Sequence, residues 1–215
     1  MKRLLILGAG VFAEEVADLA ATAGFEVVGF VEGRDRDRGG TLLGRPIHWI
    51  DDLAESARGT PAVCAVGSPA RAGLIARARA LGVRFATLVH PTAVLAASAT
   101  IGEGSIVGAG VIAGAAVAIG QHAILNRACL IGHHVRIGDC ATLCPGCNVG
   151  GLTVIGAGAF LGLGSIVIDR IVVGDGAVVG AGSVVNHNVP PGVRVAGVPA
   201  RRVRRAENLE RGPGA

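Results

Sequence analysis

Two adjacent imidazoles, His133 and His134, interrupt a run of small and apolar residues directly after Ile131 and Gly132. Imidazole changes protonation near neutral pH, so a histidine held on a rigid frame can take a proton from an attacking amine or hydroxyl. Asn126 stands where the neighbouring repeats carry glycine, and it is the nearest side-chain amide to the pair. Two solvated corner residues would look the same, so spacing alone leaves a general base and a bystander both open. A second cluster, Cys144-Pro145-Gly146-Cys147 with Cys140 nearby, has the composition of a zinc site. Alternate residues of a strand point to opposite faces, so these sulfurs should not converge, and no metal is expected.

The third constellation lies at the start of the chain. A buried strand, Lys2 to Leu7, runs into Gly8-Ala9-Gly10-Val11-Phe12-Ala13, and a helical pattern continues to about Ala23. Gly8, Gly10 and Ala13 fit G-x-G-x-x-[GA], which brings backbone close to phosphates at a helix N-terminus. A second strand, Glu26 to Val31, ends at Glu32, where a ribose-binding acid would sit. A tight turn in any α/β domain would read alike. Further on come a strand at Pro46 to Trp49, a helix near Asp51 to Ala57, a strand Ala62 to Val66 and the turn Gly67-Ser68-Pro69. A helix Ala70 to Leu81 and a strand Arg84 to Val89 close this part. Four or five parallel strands make only half of a dinucleotide fold, so a mononucleotide or nucleotide-sugar suits it better than NAD.

What must position the histidines is visible in every sixth residue from Ile101 to Val185. Fourteen of those fifteen positions are Ile, Leu or Val, with Ala113 the exception. A helix repeats at 3.6 residues and a strand at 2, so a strict period of six belongs to a parallel β-helix of hexapeptide repeats. Glycine usually follows the aliphatic residue, as at a corner with no room for a Cβ. Four positions after the aliphatic residue the side chain is mostly small. If three hexads form one triangular coil, residues eighteen apart stack at about 4.8 Å and roughly five coils make a rigid rod. Cys129 and Cys147, eighteen apart, are then expected to stack in its interior.

Composition narrows the partners. Charged residues are 17% of the chain, and the mean hydropathy is +0.56. No apolar run reaches the roughly 18 residues of a membrane span, so the aliphatic residues belong to solenoid ladders whose exposed faces favour oligomers. Met1 to Leu7 imitates a signal peptide but leads into a glycine turn and an acidic helix, and five cysteines without an export signal suit a reducing cytoplasm. With 3% aromatics there is no stacking platform for nucleic acid, and the net charge of +4 sits largely in the tail from Arg201 to Arg211.

A short nucleotide-binding α/β domain followed by an uninterrupted hexapeptide helix resembles the sialic acid O-acyltransferase family, whose close relatives N-acetylate UDP- or dTDP-linked amino sugars. The resemblance spans about residues 2 to 205. It rests on Leu125-Asn126, Ile131-Gly132-His133, Ile137-Gly138-Asp139, Pro145-Gly146, Val198-Pro199-Ala200-Arg201 and Gly8-Ala9-Gly10. It implies a Rossmann-like nucleotide-sugar domain (1–90), a left-handed β-helix acyltransferase domain (91–200) and a basic tail (201–215). It also implies a homotrimer with acetyl-CoA as acyl donor and active sites between neighbouring helices.

By that resemblance His133 is the general base, Asn126 positions the substrate and the Gly151 N–H meets the thioester carbonyl. Thr142, Leu163, Gly180 and Ala181 line the acetyl-CoA channel. Independently of the resemblance, the Arg201-Arg202 pair has the chemistry to meet CoA phosphates, and a solvated tail would read alike. Gly8, Gly10, Phe12, Glu32, Gly33, Arg34, Gly67, Ser68 and Arg71 fall at the nucleotide-sugar. Arg127, where the family has Thr, would favour an anionic acceptor or simply occupy an exposed corner. The family places an acid on each side of its histidine and a second histidine at the position of Thr142. This chain has Gly132 and His134 instead, so either His133 is a weaker base or Asp139 or a neighbouring subunit supplies the orienting carboxylate. Two rivals stand beside this reading. One is a γ-carbonic-anhydrase-like solenoid with zinc on His122, His133 and His134; the other is a non-catalytic nucleotide-sugar scaffold.

Overall fold

The computed structural model describes residues 1–53, 59–68 and 70–203. Strand β1 (Lys2–Leu7) lies between β2 (Phe25–Glu32) and β5 (Ala62–Cys64), all parallel. Leu4 to Leu7 are buried on both faces, as expected of a central parallel strand covered on each side. Strand β4 (Arg45–Trp49) adds in parallel beyond β2, and β3 (Thr41–Leu42) pairs with it antiparallel at the edge. Helix α1 (Val11–Thr22) buries Ala13, Val16, Ala17 and Ala20, one stripe at helical spacing. Helix α2 spans Arg71–Ala80.

Two expected elements differ. The helix near Asp51 begins as a single 3₁₀ turn, Ile50–Asp52, and its remainder lies outside the described residues. The strand read from Arg84 to Val89 is divided. Phe85 bridges to Ala62 of the α/β sheet, while β6 (Leu88–Val89) already pairs with Ile106–Val107 of the solenoid. One short segment therefore stitches the two architectures together.

The repeat forms a parallel β-solenoid with three faces. The first face stacks Val94–Leu95, Ile112–Ala113, Leu130–Ile131, Asn148–Val149, Ile166–Val167 and Val184–Val185. The second stacks Thr100–Ile101, Ala118–Ile119, Arg136–Ile137, Val154–Ile155 and Val172–Val173. The third runs from β6 through Ile124–Leu125, Thr142–Leu143 and Phe160–Leu161 to Arg194–Ala196, capped by antiparallel Arg201–Arg202. The rungs pair with residues eighteen away, such as Leu125 with Leu143 and Ile131 with Val149, until the last coil, where Val178 pairs with Arg194. Cys129 and Cys147 are fully buried in the interior.

The second inward position is small on two faces only. The Arg136 face carries Val117, Val135, Thr153, Ile171 and Val189 there, all buried, so one side of the prism takes bulk where the other two, Val111 apart, take Ala, Cys and Ser. Glycine follows the aliphatic residue because the coils nearly touch: a Cβ on Gly132 would come within 2.6 Å of the Gly151 nitrogen. On the third face Ile106 and Ile124 share a core with Val16 of α1, so the α/β unit lies on that face.

Candidate functional site

His133 occupies the corner that ends the Leu130 face, in a column with Ala115, Gly151, Asp169 and His187 at the eighteen-residue spacing. Its imidazole lies over Gly151: a Cβ there would sit 2.8 Å from His133 Nε2. Among the described residues the Gly151 N–H has no hydrogen-bond partner. The corresponding N–H groups of Gln121 and Ala157, on the next corner, are capped by Asp139 Oδ1 at 2.7 Å and Asp175 Oδ1 at 2.8 Å. The His133 corner thus presents a basic ring nitrogen beside a free backbone donor. That pairing suits proton abstraction next to a developing oxyanion. His133 Nδ1 is 3.1 Å from His134 Nδ1, and both rings are exposed.

The same geometry corrects the expectation for Asp139. Six residues carry the chain from one corner to the next, so Asp139 stands on a different edge from His133, with Oδ1 engaged by the Gln121 N–H. It does not orient His133 within the protomer. The zinc alternative fails on His122. That residue is buried, its ring packs edge-on against Phe85 at 4.6 Å, and its Nε2 lies 3.1 Å from the Arg79 guanidinium. Burial, and then Arg79, lower its pKa, and no metal-ligating group of three forms among the described residues.

The other edge of the Leu130 face carries Arg127, Pro145, Leu163 and Ala181, with Asn126 and Gly180 just before the corner. Asn126 Oδ1 accepts the Arg127 N–H at 2.8 Å, and Arg127 pairs with Glu15 at 2.6 Å. Both members of that ion pair are exposed, so it adds little to stability. Asn126 and Arg127 line a cavity of about 190 Å³ with Phe12, Val16, Leu19 and Ile124, between α1 and the solenoid. Phe12 therefore lies beside Asn126 rather than in the crevice at Gly8. Leu163 is 57% exposed. His133 and Asn126 are separated by a full side of the prism, on the order of 15–20 Å at strand rise, so they do not meet within one chain. Between these edges Ile112, Leu130 and Ile166 project into solvent along a shallow groove, and Val94 is exposed on the same face.

In the N-terminal lobe a crevice of about 300 Å³ opens at the carboxyl ends of β1, β2 and β5, lined by Gly8, Gly10, Glu32, Arg34 and Val66. Gly8 has φ +112°, which a side chain would strain, and Gly10 starts α1 with no side-chain cap. The Ala13 N–H donates to Gly10 O at 2.9 Å, and the N–H groups of Val11 and Phe12 have no partner in the helix. Glu32 is buried, and its Oε1 accepts the N–H groups of Gly33 and Arg34 at 2.8 Å each. This fixes the loop through Oε1 alone. Gly33 lies behind the crevice, where a Cβ would strike Leu74.

Two expected ligand contacts hold the lobes together instead. Arg71 is 1% exposed, and it donates to the carbonyls of His122, Ser68, Cys140 and Ala141 at 2.7–3.2 Å and to Thr142 Oγ1 at 2.8 Å. Thr142 Oγ1 in turn donates to Gly67 O at 3.2 Å. Arg71 is therefore not a substrate ligand and Thr142 does not line an acyl-CoA channel: the third face is covered by the α/β lobe at that height. A signal was present, because Thr142 is the polar residue in an outward series of Leu88, Ile106, Ile124 and Phe160. Gly67 and Ser68 belong to this clamp through their carbonyls. Arg201 is exposed at the far end of the rod, beside a cavity of about 420 Å³ with His187 and Arg202. Cys129 is kept protonated by its neighbour Cys147 and by burial, both of which push its thiol up.

Gly151 offers a direct check. Gly151→Ala leaves the backbone unstrained but forces the His133 ring aside, and a displacement near 1 Å lowers kcat by about 10²-fold with an unchanged circular dichroism spectrum.

Comparison with known proteins agrees with the two-part fold. A family model for the PglD N-terminal domain matches residues 3–75. Among solved structures, a perosamine N-acetyltransferase variant of Caulobacter crescentus, bound to CoA and GDP-perosamine, is 32% identical with a TM-score of 0.88. The match covers 95% of this chain and 98% of that one. The acetyltransferase domain of PglB from Neisseria gonorrhoeae is 30% identical with a TM-score of 0.84, covering 94% and 100%. WeeI from Acinetobacter baumannii is 27% identical with a TM-score of 0.83, covering 94% and 100%. No curated protein sequence matches the chain significantly.

Proposed function

We propose, from the premise that the chain belongs to the nucleotide-amino-sugar acetyltransferases, that His133 removes the proton from a sugar amine (or hydroxyl) as it attacks acetyl-CoA. The protein is an acyl-CoA-dependent sugar acetyltransferase. The observation that carries the role of His133 is its Nε2 lying over Gly151, whose N–H is free to meet the thioester oxyanion. The tetrahedral intermediate then expels CoA thiolate, so no covalent acyl-enzyme is required.

The acceptor nucleotide binds in the crevice at Gly8, Gly10, Glu32 and Arg34, its phosphates on the first turn of α1. From there the sugar passes Phe12 toward Asn126. Three protomers pack their Leu130 faces around an axis, covering the exposed Ile112, Leu130 and Ile166. In that arrangement the His133 edge of one rod meets the Asn126 and Leu163 edge of the next, which closes the distance that one chain cannot. Leu163, Gly180 and Ala181 then flank the pantetheine and Arg201 its phosphates. Residues 1–90 are the nucleotide-sugar unit and 91–200 the transferase unit, with Leu88–Val89 their shared rung; 204–215 of the basic tail lie outside the described residues. The five free thiols and the acetyl-CoA donor suit the cytoplasm, and no described helix is long and apolar enough to cross a membrane.

Incubation with acetyl-CoA and a panel of GDP-, UDP- and dTDP-linked amino sugars should release CoA thiol and yield an acetylated sugar by mass spectrometry. Tight binding of a nucleotide-sugar without thiol release across the panel would leave only the scaffold reading.

A further inference from the structure

We propose that His134 replaces the carboxylate that orients the base, so that the catalytic unit is a His133–His134 dyad. This rests on His133 being the base. The two Nδ1 atoms are 3.1 Å apart and the rings meet edge-on, with centroids 5.3 Å apart and planes at 84°. At that separation one Nδ1 carries the hydrogen and the other offers its lone pair. Neither ring forms an ion pair among the described residues, and Asp139, the nearest following acid in sequence, is engaged on another corner. The groups packed against the pair from adjacent coils are the Ala115 carbonyl, which accepts the backbone N–H of His134 at 2.8 Å, and Gly151; neither titrates.

The productive tautomer has His133 Nδ1–H donating to His134 Nδ1, which leaves the His133 Nε2 lone pair facing the space above Gly151. In the transfer the amine N–H bond breaks and its proton goes to Nε2. The nitrogen pair forms the C–N bond, and the C–S pair departs with the CoA thiolate. His133 is then a cation whose Nδ1–H bond to His134 becomes charge-assisted and stronger. A neutral acceptor stabilises that cation less than a carboxylate does. Once protonated, His134 cannot accept at all.

The test compares full-length wild type with H134A, H134N and H134E, measuring kcat, both KM values and the pH dependence of kcat/KM. Alanine is structurally tolerated: His134 has φ 58°, and Ala116 and Ala128 hold φ 57° and 58° at equivalent corners. Asparagine accepts left-handed φ and places Oδ1 where histidine places Nδ1. H134A should lose about 10- to 100-fold in kcat, the rate equivalent of one hydrogen bond to a charged group, with KM values little changed. Its acid limb should move to lower pH, H134N should recover most of the lost rate, and H134E should move the limb to higher pH. A merely structural role would shift none of these limbs. If H133A is inactive while H134A matches wild type with an unmoved limb, the dyad is wrong and a partner subunit supplies the acceptor. If H133A itself keeps wild-type activity, the reading of the base fails first.

Discussion

Replacing His133 by alanine lowers kcat by roughly 10²–10⁴-fold, the span that general-base catalysis contributes. The fold should be untouched. His133 is exposed at a corner, its inward neighbours Ile131 and Val135 carry the packing, and its backbone carbonyl still accepts the Leu152 N–H at 2.9 Å. KM for acetyl-CoA should move little, because the ring faces the reacting carbonyl rather than the nucleotide end of the donor. Steady-state kinetics with circular dichroism checks both halves. A fall in kcat with an altered spectrum would mean that the corner was misjudged as a surface feature.

Arg71→Met should destabilise the protein by about 3–5 kcal/mol, because the methionine keeps the stem and strips the donors from a buried network. Four backbone carbonyls and Thr142 Oγ1 lose a partner in a site that is 1% exposed. Arg71→Lys should lie between, since an ammonium cannot span acceptors on both sides of a planar fork. Urea denaturation measures this, and the solenoid's own ladders should outlast the α/β lobe. Were Arg71 a phosphate ligand, the same change would raise KM for the nucleotide-sugar and leave the midpoint of unfolding alone.

The period of six in the aliphatic residues made the solenoid legible, since each inward side chain reports a backbone that turns every six residues. The glycine turn at Gly8 and Gly10 was legible for a related reason: its chemistry is local. Asp139 was misplaced because nearness in sequence was taken for nearness in space. In a triangular coil residues six apart fall on successive corners and residues eighteen apart share one, so Gly151 is the neighbour of His133 and Asp139 is not. Arg71 and Thr142 were hidden by a different cause. They meet across 71 positions, and no local pattern says which face of the rod the first lobe covers. The adjacency of His133 and His134 was plain, but whether their rings met depended on the left-handed φ of 58° at His134.

Mixed assembly tests the shared site most directly. His133→Ala removes the base from one edge of the Leu130 face, and Asn126→Ala damages the opposite edge. Each variant alone should be nearly inactive. Co-expressed with different affinity tags and purified as mixed oligomers, they should regain activity well above the sum of the parents, since random assortment leaves roughly a quarter of the seams with both edges intact. Mixed oligomers no more active than the two parents would contradict a site built from two chains.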